Sequence, residues 1–398
     1  MPPSFVSSHN QPDGTPKPPD APAEHPHVAP SVSRVIRDPF DVAAELILKP
    51  PSSSYARRVE EKLQQLIGGN HEMLMYDLPA SPGPGHARFD LIRPGSGPKG
   101  GNDTLLIQFH PHDSYSREEI MSMARYFVGK QLAEQTGIFS TDVAADAQVR
   151  MADEELCIGS IISAALRTLL NSGRSTPVQH ILASGTETQK PVECFCKDYA
   201  ENEFTVEVGL RMRPKFIKLD AQGNTLVDFE GGIAHILSPI PEQEALNEEC
   251  NRRLLTVKDK RDYMELFKRY SHHLVHHSAV GVIFYNWLKG KGGPMINPIV
   301  GVGCDARKGT VDMVVKEGAC GSGSIALALE RGPHHDEKFA TGMQVWQPSG
   351  SPFTIKMKEL QRKKPTFDVT LESHVQFLAS WVSEIRSLLD HIKKEAHT

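Results

Sequence analysis

Two stretches decide how this sequence is read. Glu317-Gly318-Ala319-Cys320-Gly321-Ser322-Gly323-Ser324 leads into the apolar run Ile325–Leu329, and Glu154-Glu155-Leu156-Cys157-Ile158-Gly159-Ser160 leads into Ile161–Leu170. Each reads as a strand, then a cysteine among small residues, then a helix, and the pair is the nearest thing to an internal repeat in the chain. A cysteine that merely packs as a small hydrophobe needs no setting as glycine-rich as that of Cys320. At a helix N-terminus, unsatisfied N–H groups and the positive end of the dipole are expected to lower a thiol pKa. The same N–H groups bind anions such as a carboxylate. Gly and Ser beside the sulfur let a ligand approach the backbone.

Two such helices facing one another would hold one carboxylate between them, with a sulfur on each side of its α-carbon. One thiolate could remove the α-proton while the opposite thiol protonates the other face, which inverts the centre. Desolvation and N–H donors would have to stabilise the developing enediolate. Cys157 and Cys320 are therefore the candidate acid/base pair. Gly159, Ser160, Gly321 and Ser322 are candidate substrate-binding residues through their backbone N–H groups.

Outward from these motifs, residues 1–37 form a Pro-rich arm with too little apolar surface to order itself. Residues 38–101 read as an N-terminal extension of a helix (Asp38–Leu66, with Val59, Leu63 and Leu66 on one face) and strands at His71–Leu78 and Ala87–Ile92. Asp103–His110 is a strand, and Ser116 with Glu119 three residues on is a capping box. Residues 102–213 would be a first half containing Cys157, and 214–382 a second half containing Cys320. A charged helix is expected over 242–277. An amphipathic one is expected over Val375–Lys394, its end and a tail filling 383–398. Many strands with a few long helices make an α+β fold.

On these residues the sequence resembles the diaminopimelate epimerase superfamily of racemases and epimerases that work without pyridoxal phosphate, from about residue 102 to about residue 382. Ala319-Cys320-Gly321-Ser322-Gly323 is similar to the family's second cysteine motif, and Leu156-Cys157-Ile158-Gly159 falls where its first Cys-Gly-Asn motif lies. Gly101-Asn102-Asp103 resembles the opening Gly-Asn-Asp turn whose Asn touches substrate; Gly69-Asn70-His71, a rival, is worse placed relative to Cys157. Gly232-Ile233-Ala234-His235 matches the position of Gly-Asn-Pro-His, whose His lies at the active site. The resemblance implies two pseudo-symmetric halves, each a β-sheet wrapped around a central helix, with the cysteines in the cleft between them. It also implies an amino acid as substrate, no cofactor, and Asn102 as a substrate contact. His235 could polarise or deprotonate Cys157, and Glu317 or Asp312 could orient Cys320.

The departures narrow the substrate. Ile158 and Ile233 stand where the family has polar or small residues, and Asp312–Glu317 lacks the usual Glu-Arg pair. A distal carboxylate would be poorly compensated. A neutral or aromatic amino acid is expected instead, histidine among them. The alternatives are a proline-racemase-like epimerase or related isomerase, or a non-catalytic amino-acid or metal-binding protein.

Composition bounds the rest. The chain has 398 residues, 39% hydrophobic and 23% charged, with net charge −5, which implies two to three soluble domains and no broad basic surface for nucleic acid. No apolar run is long enough to span a bilayer and no secretory signal is visible. Six cysteines are too few for a disulfide scaffold, so reduced thiols in the cytoplasm are expected. His272-His273-Leu274-Val275-His276-His277 offers two i,i+4 pairs but no completing ligand nearby, and reads as a polar helix end with no metal. Cys194-Phe195-Cys196 has neither redox nor zinc-ribbon spacing, and Gly95–Gly100 matches G-x-G-x-x-G only formally. The extension could cover the cleft or build a homodimer interface.

Overall fold

In a computed structural model the described residues are 53–67, 71–73, 81–141, 143–151, 154–172, 178–186, 190–200, 203–229, 233–240, 255–287, 292–331, 342–361 and 365–396. The Pro-rich arm, the first part of the helix expected from Asp38, residues 74–80, Gly69-Asn70, Gly232 and Cys250 lie outside them. The described residues form a mixed α/β fold of six α-helices and one seventeen-stranded sheet that closes into a barrel.

The closure is visible strand by strand. β1 (His71–Met73) is a short edge piece. β2 (His86–Pro94), β3 (Thr104–Phe109), β4 (Gln135–Ser140), β5 (Ala147–Met151), β6 (Val178–Ala183), β7 (Val192–Ala200) and β8 (Glu203–Met212) pair in that order. The last strand, β17 (Thr366–Glu384), then pairs with both β8 and β2 and shuts the ring. Inside it lies α3 (Ile158–Ser172), in contact with β2 through β8. Ile161, Ile162, Ala164, Ala165, Leu166 and Leu169 of α3 are all buried, as a helix apolar on every side requires.

A second set of strands surrounds α5 (Gly321–Arg331). β9 (Pro214–Lys218), β10 (Thr225–Phe229), β11 (Ala234–Pro239), β12 (Ala279–Trp287) and β13 (Pro294–Asp305) pair in succession. β13 carries β14 (Thr310–Lys316) along its length and meets β15 (Met343–Trp346) at Met295. β15 continues through β16 (Pro352–Gln361) to β17, which thus belongs to both sets.

The remaining helices cover outer faces. α1 (Ser53–Ile67), α2 (Arg117–Gly129) and α6 (Ile385–Ala396) lie over β2, β3 and β17, burying Leu63, Phe127, Leu388, Phe89 and Trp381 in one cluster. Ser116 caps α2 as expected: its Oγ accepts from the Glu119 N–H at 3.2 Å, and Glu119 Oε2 accepts the Ser116 N–H at 2.9 Å. α4 (Val257–Arg269) covers β12.

Two expectations are corrected. Val375–Lys394 is not one helix: β17 runs to Glu384, and the helix begins at Ile385. Its residues 378–381 are buried on both faces, so the apolar run carries no clean period of two. The segment 242–277 is helical only over α4 among its described residues, and His272 and His273 sit in a 3₁₀ turn, which removes the helical spacing of the histidines. β2, which falls within the expected extension 38–101, is a central strand of the first ring, paired with β3 and β17.

Candidate active site

Cys157 and Cys320 are the N-caps of α3 and α5. The Cys157 carbonyl accepts the Ile161 N–H at 3.2 Å, and the Cys320 carbonyl accepts that of Ser324 at 3.1 Å. Each sulfur accepts the N–H three residues on, Ser160 to Cys157 at 3.3 Å and Gly323 to Cys320 at 3.4 Å. Sulfur thus stands where a Ser or Asp oxygen ordinarily caps a helix. The two helices meet at these ends: a Cβ on Gly321 would come within 2.6 Å of the Ile158 Cβ. Both cysteines line one cavity of about 910 Å³, counting its open mouth.

The Cys320 end is braced from several directions. The Cys320 N–H donates to Gln347 Oε1 at 3.0 Å, while Gln347 Nε2 donates to Ser324 Oγ at 2.9 Å and the Val345 carbonyl at 2.8 Å. Glu317 is buried in the same cavity wall, and its Oε2 has no hydrogen-bond partner among the described residues. Burial pushes the Glu317 carboxyl up to about 7, against hydrogen bonds from Cys320 and Asn102 that pull it down. The Cys320 thiol is pushed well above its usual value by burial and by the charge of Glu317.

The Cys157 end is built from different material. Its thiol donates to Gln135 Oε1 at 3.0 Å. Burial raises it to about 12, against the hydrogen bonds from Ser160. The expectation of lowered thiol pKa values is therefore corrected: the capping N–H groups do pull both down, and desolvation outweighs them. Burial favours the thiol form at both sulfurs.

The Gly101-Asn102-Asp103 turn leads into β3 and brings Asn102 to the cavity. Arg93 holds the Asp103 carboxylate with two bonds, of 2.6 and 3.0 Å, and the Asn102 N–H donates to the Pro94 carbonyl at 2.9 Å. Gly101 is needed there because a Cβ would meet Arg93 Cγ at 2.5 Å. Asn102 Nδ2 donates to the Ala319 carbonyl at 2.8 Å, tying this turn to the Cys320 segment, and its Oδ1 has no partner among the described residues.

The cavity gathers Cys157, Cys320, Asn102, Glu317, Gly159, Gly321 and Ser322. Ser160 is not among its walls: its N–H is taken by Cys157 Sγ and its Oγ faces Met151 Sδ at 3.1 Å. His235 does not line it either, and its role on Cys157 is corrected. The ring is buried against Phe229, at 6.0 Å between centroids, and over Gly281, where a Cβ would lie 2.2 Å from Nδ1. Burial lowers it to about 3, so it stays neutral. Asp312 lies at the rim and pairs with Arg125 at 2.7 Å across the mouth.

Sequence reasoning missed Gln135, Glu134, Glu155 and Arg125, all of which line the cavity. Arg125 is the one cation among the described lining residues. Met121, Val128, Val302, Met313 and Val315 give the cavity an apolar wall. Among the described residues no three His, Cys, Asp or Glu side chains gather as a metal site; the His272 and His273 rings lie tilted with centroids 4.0 Å apart, and His277 pairs with Asp228 at 3.4 Å.

The class defined by fold and site is a barrel-like mixed α/β protein with two N-cap cysteines in one cavity. Solved structures similar in fold include a hydroxyproline epimerase from Agrobacterium vitis with bound trans-4-hydroxy-L-proline, at TM-score 0.51 and 12% identity, covering 74% of this chain and 90% of that one. A phenazine biosynthesis protein of the PhzF family from Enterococcus faecalis follows at TM-score 0.44 and 11% identity, covering 75% and 99%. No protein-family model matches the sequence, and no curated protein matches it. The likeness to the hydroxyproline epimerase is a likeness of fold.

Proposed function

We propose that the chain is an amino-acid racemase or epimerase that inverts Cα with Cys157 and Cys320 and needs no cofactor. The observation that carries this reading is the meeting of two cysteine-capped helix N-termini in one cavity. First-turn N–H groups at Gly159, Gly321 and Ser322 suit a substrate carboxylate and the enediolate that forms from it. Asn102 Oδ1 and Glu317 Oε2 suit its ammonium group. The apolar wall fits a neutral or aromatic side chain, histidine among the candidates. Glu317 takes the Cys320 proton, the Cys320 thiolate takes the Cα proton, and Cys157 delivers its own proton to the opposite face. On this reading the strands around α3 and those around α5 are pseudo-symmetric halves, and thiols that must stay reduced suit the cytoplasm.

A proline-racemase-like epimerase is the second reading, favoured by the fold shared with the hydroxyproline epimerase. One experiment covers both. The protein is incubated in D2O with a panel of amino acids that includes histidine, proline and hydroxyproline, with EDTA and without added pyridoxal phosphate, and Cα deuteration is followed by NMR. Exchange that disappears in Cys157→Ala and in Cys320→Ala supports the reading, and the exchanging substrate chooses between the two. Absence of exchange with every substrate sinks both.

A further inference from the structure

We propose that Gln135 is a positioning residue that holds Cys157 as the proton-donating thiol, so that the resting negative charge of the site lies at the Glu317–Cys320 end. This rests on the racemase reading above and assigns unequal duties to the two sulfurs. Gln135 opens β4, which runs parallel to β3 with Gln135 opposite Thr104, beside the turn that presents Asn102, and its N–H donates to the Asp103 carbonyl at 3.3 Å. Its side chain bridges Thr104 and Cys157: Nε2 donates to Thr104 Oγ1 at 2.7 Å, and Oε1 accepts from Cys157 Sγ at 3.0 Å. In this orientation the Thr104 hydroxyl can donate to the Asn102 carbonyl at 3.4 Å, its lone pair meets the amide N–H, and Oε1 faces the sulfur. Gly159 makes the room, since a Cβ there would come within 2.4 Å of Gln135 Nε2.

A carbonyl oxygen accepts a hydrogen bond from S–H and gives nothing to S⁻, so this contact favours the thiol. A neutral amide is also unable to take the proton away. Cys320 differs on both counts, because its neighbour Glu317 is a carboxyl that can. The protons balance across one turnover. Glu317 takes the proton of Cys320, Cys320 takes that of Cα, and Cα receives that of Cys157. The negative charge has then moved from Glu317 to Cys157, and it returns when Cys157 regains a proton from solvent and Glu317 releases one. The enantiomer whose Cα–H faces Cys320 therefore meets a resting enzyme already in the right protonation state.

The S–H stretching band in the infrared reads this directly, without substrate. The Cys157 band is isolated as the difference between the full chain and its Cys157→Ser variant. The expected band is present at neutral pH, lies below the frequency of a thiol with no acceptor, and moves up in Gln135→Leu. Thr104→Val, which leaves Gln135 in place and removes its anchor, should broaden the band and shift it the same way. A Cys157 with no S–H band at neutral pH overturns the proposal, as does a band unmoved by both substitutions. A failed D2O exchange would remove the racemase reading and leave the band as it is. A band indifferent to Gln135 would remove the present proposal and leave the exchange standing.

Discussion

At the head of α3 a sulfur meets an amide, and at the head of α5 it meets a carboxyl. The caps are alike to a tenth of an ångström, 3.3 Å from Ser160 N to Cys157 and 3.4 Å from Gly323 N to Cys320. Their surroundings diverge: Gln135 and Ile158 at one end, Glu317 and the run Gly321-Ser322-Gly323 at the other. A repeated backbone device thus carries two different proton environments. The difference teaches that the helix N-terminus supplies the position of the sulfur, while the side chains around it bias its protonation.

The largest effect should come from removing either sulfur. Cys157→Ala and Cys320→Ala should each lower Cα exchange by about 10²–10⁴-fold, the usual worth of a positioned acid or base. Equal losses keep the two ends equivalent in importance, and an intact rate in either variant breaks the pairing. Next comes Glu317→Gln, expected to lower exchange about 10²-fold and to erase a titration near pH 7 from the pH–rate profile. The same substitution should stabilise the fold at pH 8. Between the ordinary carboxyl value of 4.5 and about 7, folded Glu317 keeps a proton that the unfolded chain has released. Stability therefore falls as pH rises through that window, by on the order of 3 kcal/mol. A Tm advantage of the Gln variant that is present at pH 8 and gone at pH 4 is the check.

Gly321→Ala should destabilise by about 1–3 kcal/mol, since the new methyl overpacks against Ile158. Ile158→Ala in the same chain should recover most of that loss, and a double-mutant cycle in urea measures the coupling. Additive losses would mean that the two helix ends do not press on one another. The smallest effect on activity belongs to His235→Leu, because the ring lies outside the cavity. Its signature is in acid: a folded value of about 3 against an ordinary 6.5 means that stability falls as pH falls through that window, and the Leu variant should lack this loss. Loss of exchange at neutral pH would return His235 to the site.

The two cysteines and the Asn102 turn were legible because their chemistry is local. A cysteine capping a helix, or a glycine that must clear Arg93, leaves its mark within a few residues of sequence. Gln135, Glu134 and Arg125 left none. Each reaches the cavity because a strand or helix elsewhere in the chain is laid beside Cys157 or Cys320, and no short pattern records that pairing. Glu155 differs, lying two residues before Cys157 inside the motif itself. His235 shows the converse: a motif position matched the resemblance, yet the ring packs over Gly281, and Ile233 of the same segment lines the cavity instead. The segment from Val375 was misread for a packing reason. A strand covered by α1 and α6 on one side and packed into the core around α5 on the other loses the alternation of polar and apolar residues that marks a half-exposed one.

β17 carries a consequence for how the chain is made. Pro94, near the start of the first ring, finds its partner at Val375, and Met212 finds its own at Phe367. During synthesis from the N-terminus, every strand from β2 to β8 must leave the ribosome and wait with an open seam until the last strand arrives. Contacts so distant in sequence make for slow closure, and the waiting edges are surfaces on which unfinished chains can pair with one another. Every described residue that walls the cavity, from Asn102 to Ser322, is made before β17, so a ribosome that stops short of Thr366 releases a chain with both cysteines present and no closed barrel to hold them.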